Sequence, residues 1–211
     1  ARVAAAVRAV RARAPEASVD GVAADLGTAE GAAALIAAQP DADVLVNNVG
    51  IFEARAFADI PDEDWARFVE VNVLSGVRLS RHHLPRMLGR RWGRILFISS
   101  ESALQIPAEM IHYGVTKTAQ LGLARGLAEL TRGTAVTVNS ILAGPTLSEG
   151  VGQFVQSLAR HTGKGPDEVE RDFFRSARPT SLLQRFETPE EIAALVAFVA
   201  SERASGVNGA A

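Results

Sequence analysis

A doubly wound α/β fold, with a mostly parallel sheet between two helical layers, is predicted by three features of the sequence. Strand-like and helix-like segments alternate along most of the chain. Runs such as Val44-Leu45-Val46 and Ile95-Leu96-Phe97-Ile98 are apolar at successive positions, the pattern of strands covered by helices on both faces. A length of 211 residues with 47% hydrophobic composition suits one substantial core, so a single domain is expected.

The elements follow in order. Residues 1–13 place Val3, Val7 and Val10 on one helical stripe that closes before Pro15, with no capping residue at its start. A short strand is expected over 18–26, then an alanine-rich helix over 28–38. Residues 43–47 read as a strand ending in the loop Asn47-Asn48-Val49-Gly50. A helix is expected from 62 through 77 and on toward 88, with Pro85 near its end, followed by a strand over 94–100. A further helix over 113–130 and a strand over 135–142 complete the alternation.

Between 148 and 185 the pattern changes to two short helices, one carrying Val151, Phe154, Val155 and Leu158, the other Val169, Phe173 and Phe174. Thr188-Pro189-Glu190-Glu191 supplies a cap, a proline at the first helical position and a carboxylate three residues after the cap, predicting a helix to about 201. The uncapped start at Ala1 and the turn chemistry of Gly206-Val207-Asn208-Gly209 lead to the expectation of one domain over 1–211, truncated at both ends.

Composition narrows the function. A net charge of −2 and an isoelectric point near 6.1 advertise no basic surface for nucleic acid or anionic lipid. The longest apolar run falls far short of the roughly 20 residues that span a bilayer. With no cysteine there are no disulfides, thiolate metal sites or cysteine nucleophiles. The charge balance points to a small molecule or a protein as partner, and a cytoplasmic location is the expectation. Adjacent His82 and His83 point in different directions on a helix and read as surface groups, His112 reads as a loop residue, and no metal site is expected.

One constellation carries chemistry. Tyr113 is the chain's single tyrosine, four residues before Lys117, which is one of two lysines among 22 basic residues, and thirteen after Ser100. Ser100 ends an apolar strand and Tyr113 begins a helix, so both are expected in the crevice beyond the carboxyl ends of the strands. Tyr113 and Lys117, one turn apart, share a helix face. Lowering a tyrosine pKa from 10 to near neutrality takes roughly 4 kcal/mol, which an ammonium about 4 Å away supplies at an effective dielectric of about 20. Tyr113 as proton donor or acceptor, with Ser100 bonding a substrate oxygen, suits interconversion of a carbonyl and a secondary alcohol. Side chains supply no hydride, so NAD or NADP is implied.

These residues, with Asn47-Asn48-Val49-Gly50, Asp25-Leu26 and Asn72 in Val71-Asn72-Val73, resemble the short-chain dehydrogenase/reductase family, closest to its 3-oxoacyl carrier-protein reductase-like ketoreductase branch. The resemblance spans nearly the whole chain and implies a Rossmann-like fold. It implies Tyr113 as the acid/base, Ser100 as the group that polarises the carbonyl, and Lys117 as the group that lowers the tyrosine pKa and bonds the nicotinamide ribose. Asn72 would hold a water that relays protons to Lys117. Cofactor contacts are implied for Asp25 and Leu26, for Asn48, Val49 and Gly50, and for Gly144, Pro145, Thr146 and Ser148. Residues 148–186 would form a substrate lid, and a homotetramer or homodimer is implied.

Two positions depart from the family pattern, Val49 for alanine and Ala143 for proline, and neither removes a chemical group. The family's first strand, glycine-rich turn, following helix and second strand should precede Ala1. Two alternatives stay open: a noncatalytic nucleotide-binding or scaffold protein of the same fold, and an inactive fragment.

Overall fold

The computed structural model describes residues 2–211; Ala1 and the side chains of Glu149, Gln153, Phe154, Ser157, Leu158 and Thr162 lie outside the described set, and with them the expectations placed on Phe154 and Leu158. The chain runs α1 (Arg2–Arg13), α2 (Ala29–Ala38), β1 (Val44–Asn47), α3 (Asp62–Val69), α4 (Ser75–Arg90), β2 (Trp92–Ser100), α5 (Ile111–Glu129), β3 (Ala135–Ala143), α6 (Glu149–Thr162), α7 (Pro166–Ser176) and α8 (Pro189–Ala200).

The three strands pair in parallel in the order β1-β2-β3, with Val44 opposite Arg94 and Trp92 opposite Ala135. Strand alternation divides β2 between two layers. Ile95 and Phe97 join Val136 and Val138 against Leu84 and Met87 of α4 and Ala124 and Ala128 of α5. Leu96 and Ile141 face Val199 of α8 on the other side. Each such fully buried aliphatic or aromatic side chain contributes about 1.5–3 kcal/mol, which fixes the register of β2. Arg94 is also buried: its guanidinium donates to the Ala135 carbonyl at 2.7 Å and covers the Trp92 ring at 4.7 Å.

Three expectations about the elements are corrected. Residues 18–26 form no strand, because no neighbouring backbone pairs with them; Val19 offers its carbonyl to Arg11 Nη2 instead. The helix expected from 62 toward 88 is interrupted by a π-helical turn over Glu70–Leu74, and α4 continues to Arg90 with Pro85 inside it. His83 is buried, since Leu79, His83 and Met87 stand four residues apart on the face of α4 that meets the sheet.

The predicted capping box is present: Thr188 Oγ1 accepts from Glu191 N, and the Glu191 carboxylate accepts from Thr188 N. Helices α6 and α7 close on their own cluster of Val155, Ala159, Val169, Phe174 and Phe186, with Phe173 alongside. Residues 208–210 lie on the outer edge of β3, where Gly209 N donates to Val138 O and the Ser140 N–H to Ala210 O, each at 2.9 Å. No helix among the described residues is long and apolar enough to cross a membrane.

Candidate active site

The carboxyl ends of β1, β2 and β3 point to one side, and α5 brings its first two turns there. Two hydrogen bonds pin α5 to β2: Ser99 Oγ donates to the Lys117 carbonyl at 3.0 Å, and Lys117 Nζ donates to the Ile98 carbonyl at 2.8 Å. Tyr113, one turn earlier, is half-buried, and Lys117 Nζ lies 5.7 Å from its ring centroid. Ser100 closes β2 and caps the next turn, its Oγ accepting from Ser102 N at 3.1 Å. That bond uses a lone pair and leaves the hydroxyl proton free to donate.

Asn72 enters from the π-helical turn, a departure from the α-helix that recurs at functional sites. Its Oδ1 accepts from Ile51 N at 2.8 Å, while Nδ2 donates to Ile51 O at 3.0 Å and to Thr116 Oγ1 at 2.9 Å. Thr116 in turn donates to the Tyr113 carbonyl at 2.7 Å, and Gln120 Nε2 donates to the Asn72 carbonyl at 2.6 Å. Asn72 thus fastens the loop after β1 to the tyrosine's helix. Thr116 and Gln120 were not singled out from the sequence, although Gln120 follows Lys117 by three residues on the same helical face and gives it a second acceptor at 3.4 Å.

Burial dominates the ionisation of both Tyr113 and Lys117. Burial raises the Tyr113 pKa above its usual value; hydrogen bonding with the neighbouring Ser100 hydroxyl and the charge of Arg178 oppose this, and Glu101 adds to it. Burial lowers the Lys117 pKa to about 8, which leaves it mostly charged near neutral pH. The ammonium donates to the Ile98 carbonyl and, at longer range, to Gln120 Oε1.

The other expected site residues divide into three groups. Asn48, Val49 and Gly50 are exposed at the end of β1, and a Cβ on Gly50 would stand 3.6 Å from both Asn72 Oδ1 and Lys117 Nζ. Gly144, Pro145 and Thr146 follow β3, and Ser148 caps α6 without a side-chain bond. Their loop is clamped by Glu187, whose Oε2 accepts from Gly144 N at 2.8 Å and whose backbone bonds Pro145 and Leu147. Asp25 and Leu26 stand apart in the turn before α2, where Asp25 Oδ1 accepts from Gly27 N.

His112 belongs to the first turn of α5 rather than a loop, and it is buried with its ring 4.0 Å from that of Phe68. A cleft of about 340 Å³ opens beside the ends of β2 and β3, bordered by Glu101, Gln105, Gly144, Thr180, Leu182 and Glu187. Glu101, Arg178 and Glu187 are further residues of the site that sequence reasoning missed.

A parallel α/β sheet with a serine, a tyrosine and a lysine gathered at its carboxyl edge defines a dinucleotide-dependent oxidoreductase. The chain matches, over residues 1–211, the family model described as enoyl-(acyl carrier protein) reductase, and it belongs to the short-chain dehydrogenase/reductase family. The uncharacterized oxidoreductase YvrD of Bacillus subtilis is 49% identical over 197 residues, covering 92% of this chain and 75% of that protein. The D-beta-hydroxybutyrate dehydrogenase of Cupriavidus necator is 34% identical over 169 residues, covering 80% of this chain and 64% of that protein. The structure of L-sorbose reductase from Gluconobacter frateurii, complexed with NADPH and L-sorbose, superposes with a TM-score of 0.90 at 29% identity, covering 99% of this chain and 80% of that one. The protein is an NAD(P)-dependent oxidoreductase.

Proposed function

We propose that the protein interconverts a carbonyl and a secondary alcohol, with Tyr113 as the acid/base, Ser100 as the group that binds the reacting oxygen, and Lys117 and Asn72 completing the site. The observation that carries this reading is the junction of β2 and α5, where Ser100, Tyr113 and Lys117 are held by bonds from Ser102, Thr116 and Ile98.

The donor set suits a nicotinamide dinucleotide. Lys117 Nζ has three protons and two recorded acceptors, one of them distant at 3.4 Å, which leaves donor capacity for a ribose hydroxyl. Gly50, beside that ammonium, leaves the backbone of the loop after β1 open to close approach. In this reading Asp25 and Leu26 reach the adenine, Asn48, Val49 and Gly50 the adenosine ribose, and Gly144, Pro145, Thr146 and Ser148 the nicotinamide end. NAD or NADP, when bound, supplies or takes the hydride.

The chain's own groups handle the oxygen and the proton. Ser100 Oγ donates to the substrate oxygen, with its lone pair already engaged by Ser102 N. Tyr113 gives its phenolic proton to that oxygen in reduction and receives it in oxidation. The phenol is neutral near neutral pH, the protonation state that the donor role in reduction requires. Lys117, with a pKa of about 8, is mostly ammonium at pH 7 and can bond a hydroxyl while remaining close to its titration point.

Helices α6 and α7, within 148–186, form the substrate lid of this reading, supported by their separate apolar cluster. Assembly as a homodimer or homotetramer through α3, α4 and α5 is supported by exposed Val69 and Val115; a single-chain mass by light scattering would contradict it. A panel of ketones, hydroxy ketones and secondary alcohols, assayed with NADH and NADPH beside a cofactor-binding titration, tests the activity. Turnover on at least one member supports the reading, and cofactor binding without any turnover indicates a scaffold instead.

A further inference from the structure

We propose that Arg178 is a positioning residue of this site, tying the segment after α7 to Glu101 and Glu109 and so fixing both one wall of the cleft and the charge beside Tyr113. The proposal rests on the reading of Tyr113 as the acid/base group, and its test is arranged to separate the two.

The geometry is a three-way tether. Arg178 Nε lies 3.4 Å from Glu101 Oε1, and its Nη1 lies 3.0 Å from Glu109 Oε1. Glu101 directly follows Ser100, and Glu109 precedes α5 by one residue pair, so the guanidinium spans the two segments that deliver the serine and the tyrosine. The side chain is only 16% exposed, with its guanidinium 5.7 Å from the Phe173 ring. Two residues on, Thr180 Oγ1 donates to Gln105 Oε1 at 2.6 Å, a second stitch across the same seam. Thr180, Ser181, Leu182 and Leu183 then border the cleft.

Each charged group near the tyrosine has a distinct part. Lys117 faces it from α5 but is turned to the Ile98 carbonyl. His112 on the same helix is packed against Phe68, with Glu53, Arg55 and Asp64 on that side. Arg178 and Glu101, held 3.4 Å apart beside Ser100, form a further and opposed pair: the arginine favours the phenolate, and the carboxylate disfavours it. The Arg178 guanidinium comes to the site from the lid-side segment rather than from the tyrosine's own helix, and so adds to Lys117 a second positive charge whose position depends on that segment. Glu101, which burial raises and Arg178 lowers, depends on the same contact.

Because Tyr113 is the chain's only tyrosine, the ultraviolet absorbance of tyrosinate reports its ionisation directly, without substrate or cofactor. Alkaline titration is compared for the wild type, Arg178→Met, Arg178→Lys and Glu101→Gln, alongside the pH profile of kcat/KM for alcohol oxidation. The expected result is a midpoint displaced upward in Arg178→Met, downward in Glu101→Gln, and restored in Arg178→Lys, with the oxidation profile following. Arg178→Met should also be cut faster by protease between 177 and 183. Unchanged midpoints, or displacements of the same sign in the two charge-removing variants, overturn the proposal. If Arg178→Met does not fold, Glu101→Gln alone decides it by the sign of its displacement. Opposite displacements together with full turnover in Tyr113→Phe would leave the tether standing and remove the acid/base assignment.

Discussion

Lys117→Met should change the pH dependence of stability by an amount that follows from the lysine's environment. Lys117 is 6% exposed, and burial lowers its pKa from 10.5 to about 8. The depressed value means the folded state disfavours the ammonium. That cost is fully present below about pH 8 and disappears as pH rises from about 8 to 10.5, where the unfolded chain also loses the proton. A difference of this size corresponds to roughly 3 kcal/mol at neutral pH, of which about 2 kcal/mol is recovered by about pH 9.5.

Methionine has no ionisation, so the stability of Lys117→Met minus that of the wild type should fall by about 2 kcal/mol over the same interval. The lost bonds to Ile98 and Gln120 shift this difference by a constant and leave its slope intact. Urea unfolding across the pH series measures it, and taking the difference cancels groups that titrate alike in both proteins. A flat difference would refute the reasoning and place the lysine in a solvated environment.

Two further substitutions probe the frame around the tyrosine. Asn72→Ala removes three hydrogen bonds between the loop after β1 and α5; it should cost about 2–4 kcal/mol in chemical denaturation and raise the KM for the dinucleotide. Glu187→Ala leaves Gly144 N without its acceptor and should cost about 1–2 kcal/mol, whereas Glu187→Gln keeps an acceptor oxygen and should recover most of the loss in the same measurement.

The sheet was legible because its signal is local. Val44 to Val46 and Ile95 to Ile98 are apolar at successive positions, and both runs are strands; the expected cover on both faces holds for β2, whereas Val44 and Val46 of β1 are exposed at 39% and 40%. The 18–26 segment has a similar apolar content, but a strand exists only where a neighbour pairs with it, and composition does not report that. The π-helical turn at Asn72 was illegible for a related reason: apolar spacing continues through 69–74, and the extra residue per turn shows only in the backbone. His83 could have been placed from its spacing with Leu79 and Met87. Ser100, Tyr113 and Lys117 were readable because short segments present them, whereas Arg178 meets Glu101 from far along the chain.

Tyr113→Phe, in protein shown by titration to bind the dinucleotide as the wild type does, tests the central claim most directly. Removing the hydroxyl should reduce turnover on any accepted carbonyl or alcohol by about 10²–10⁴-fold while leaving cofactor affinity within a few fold. Turnover at the wild-type rate would contradict the account, because the proton would then have come from another group.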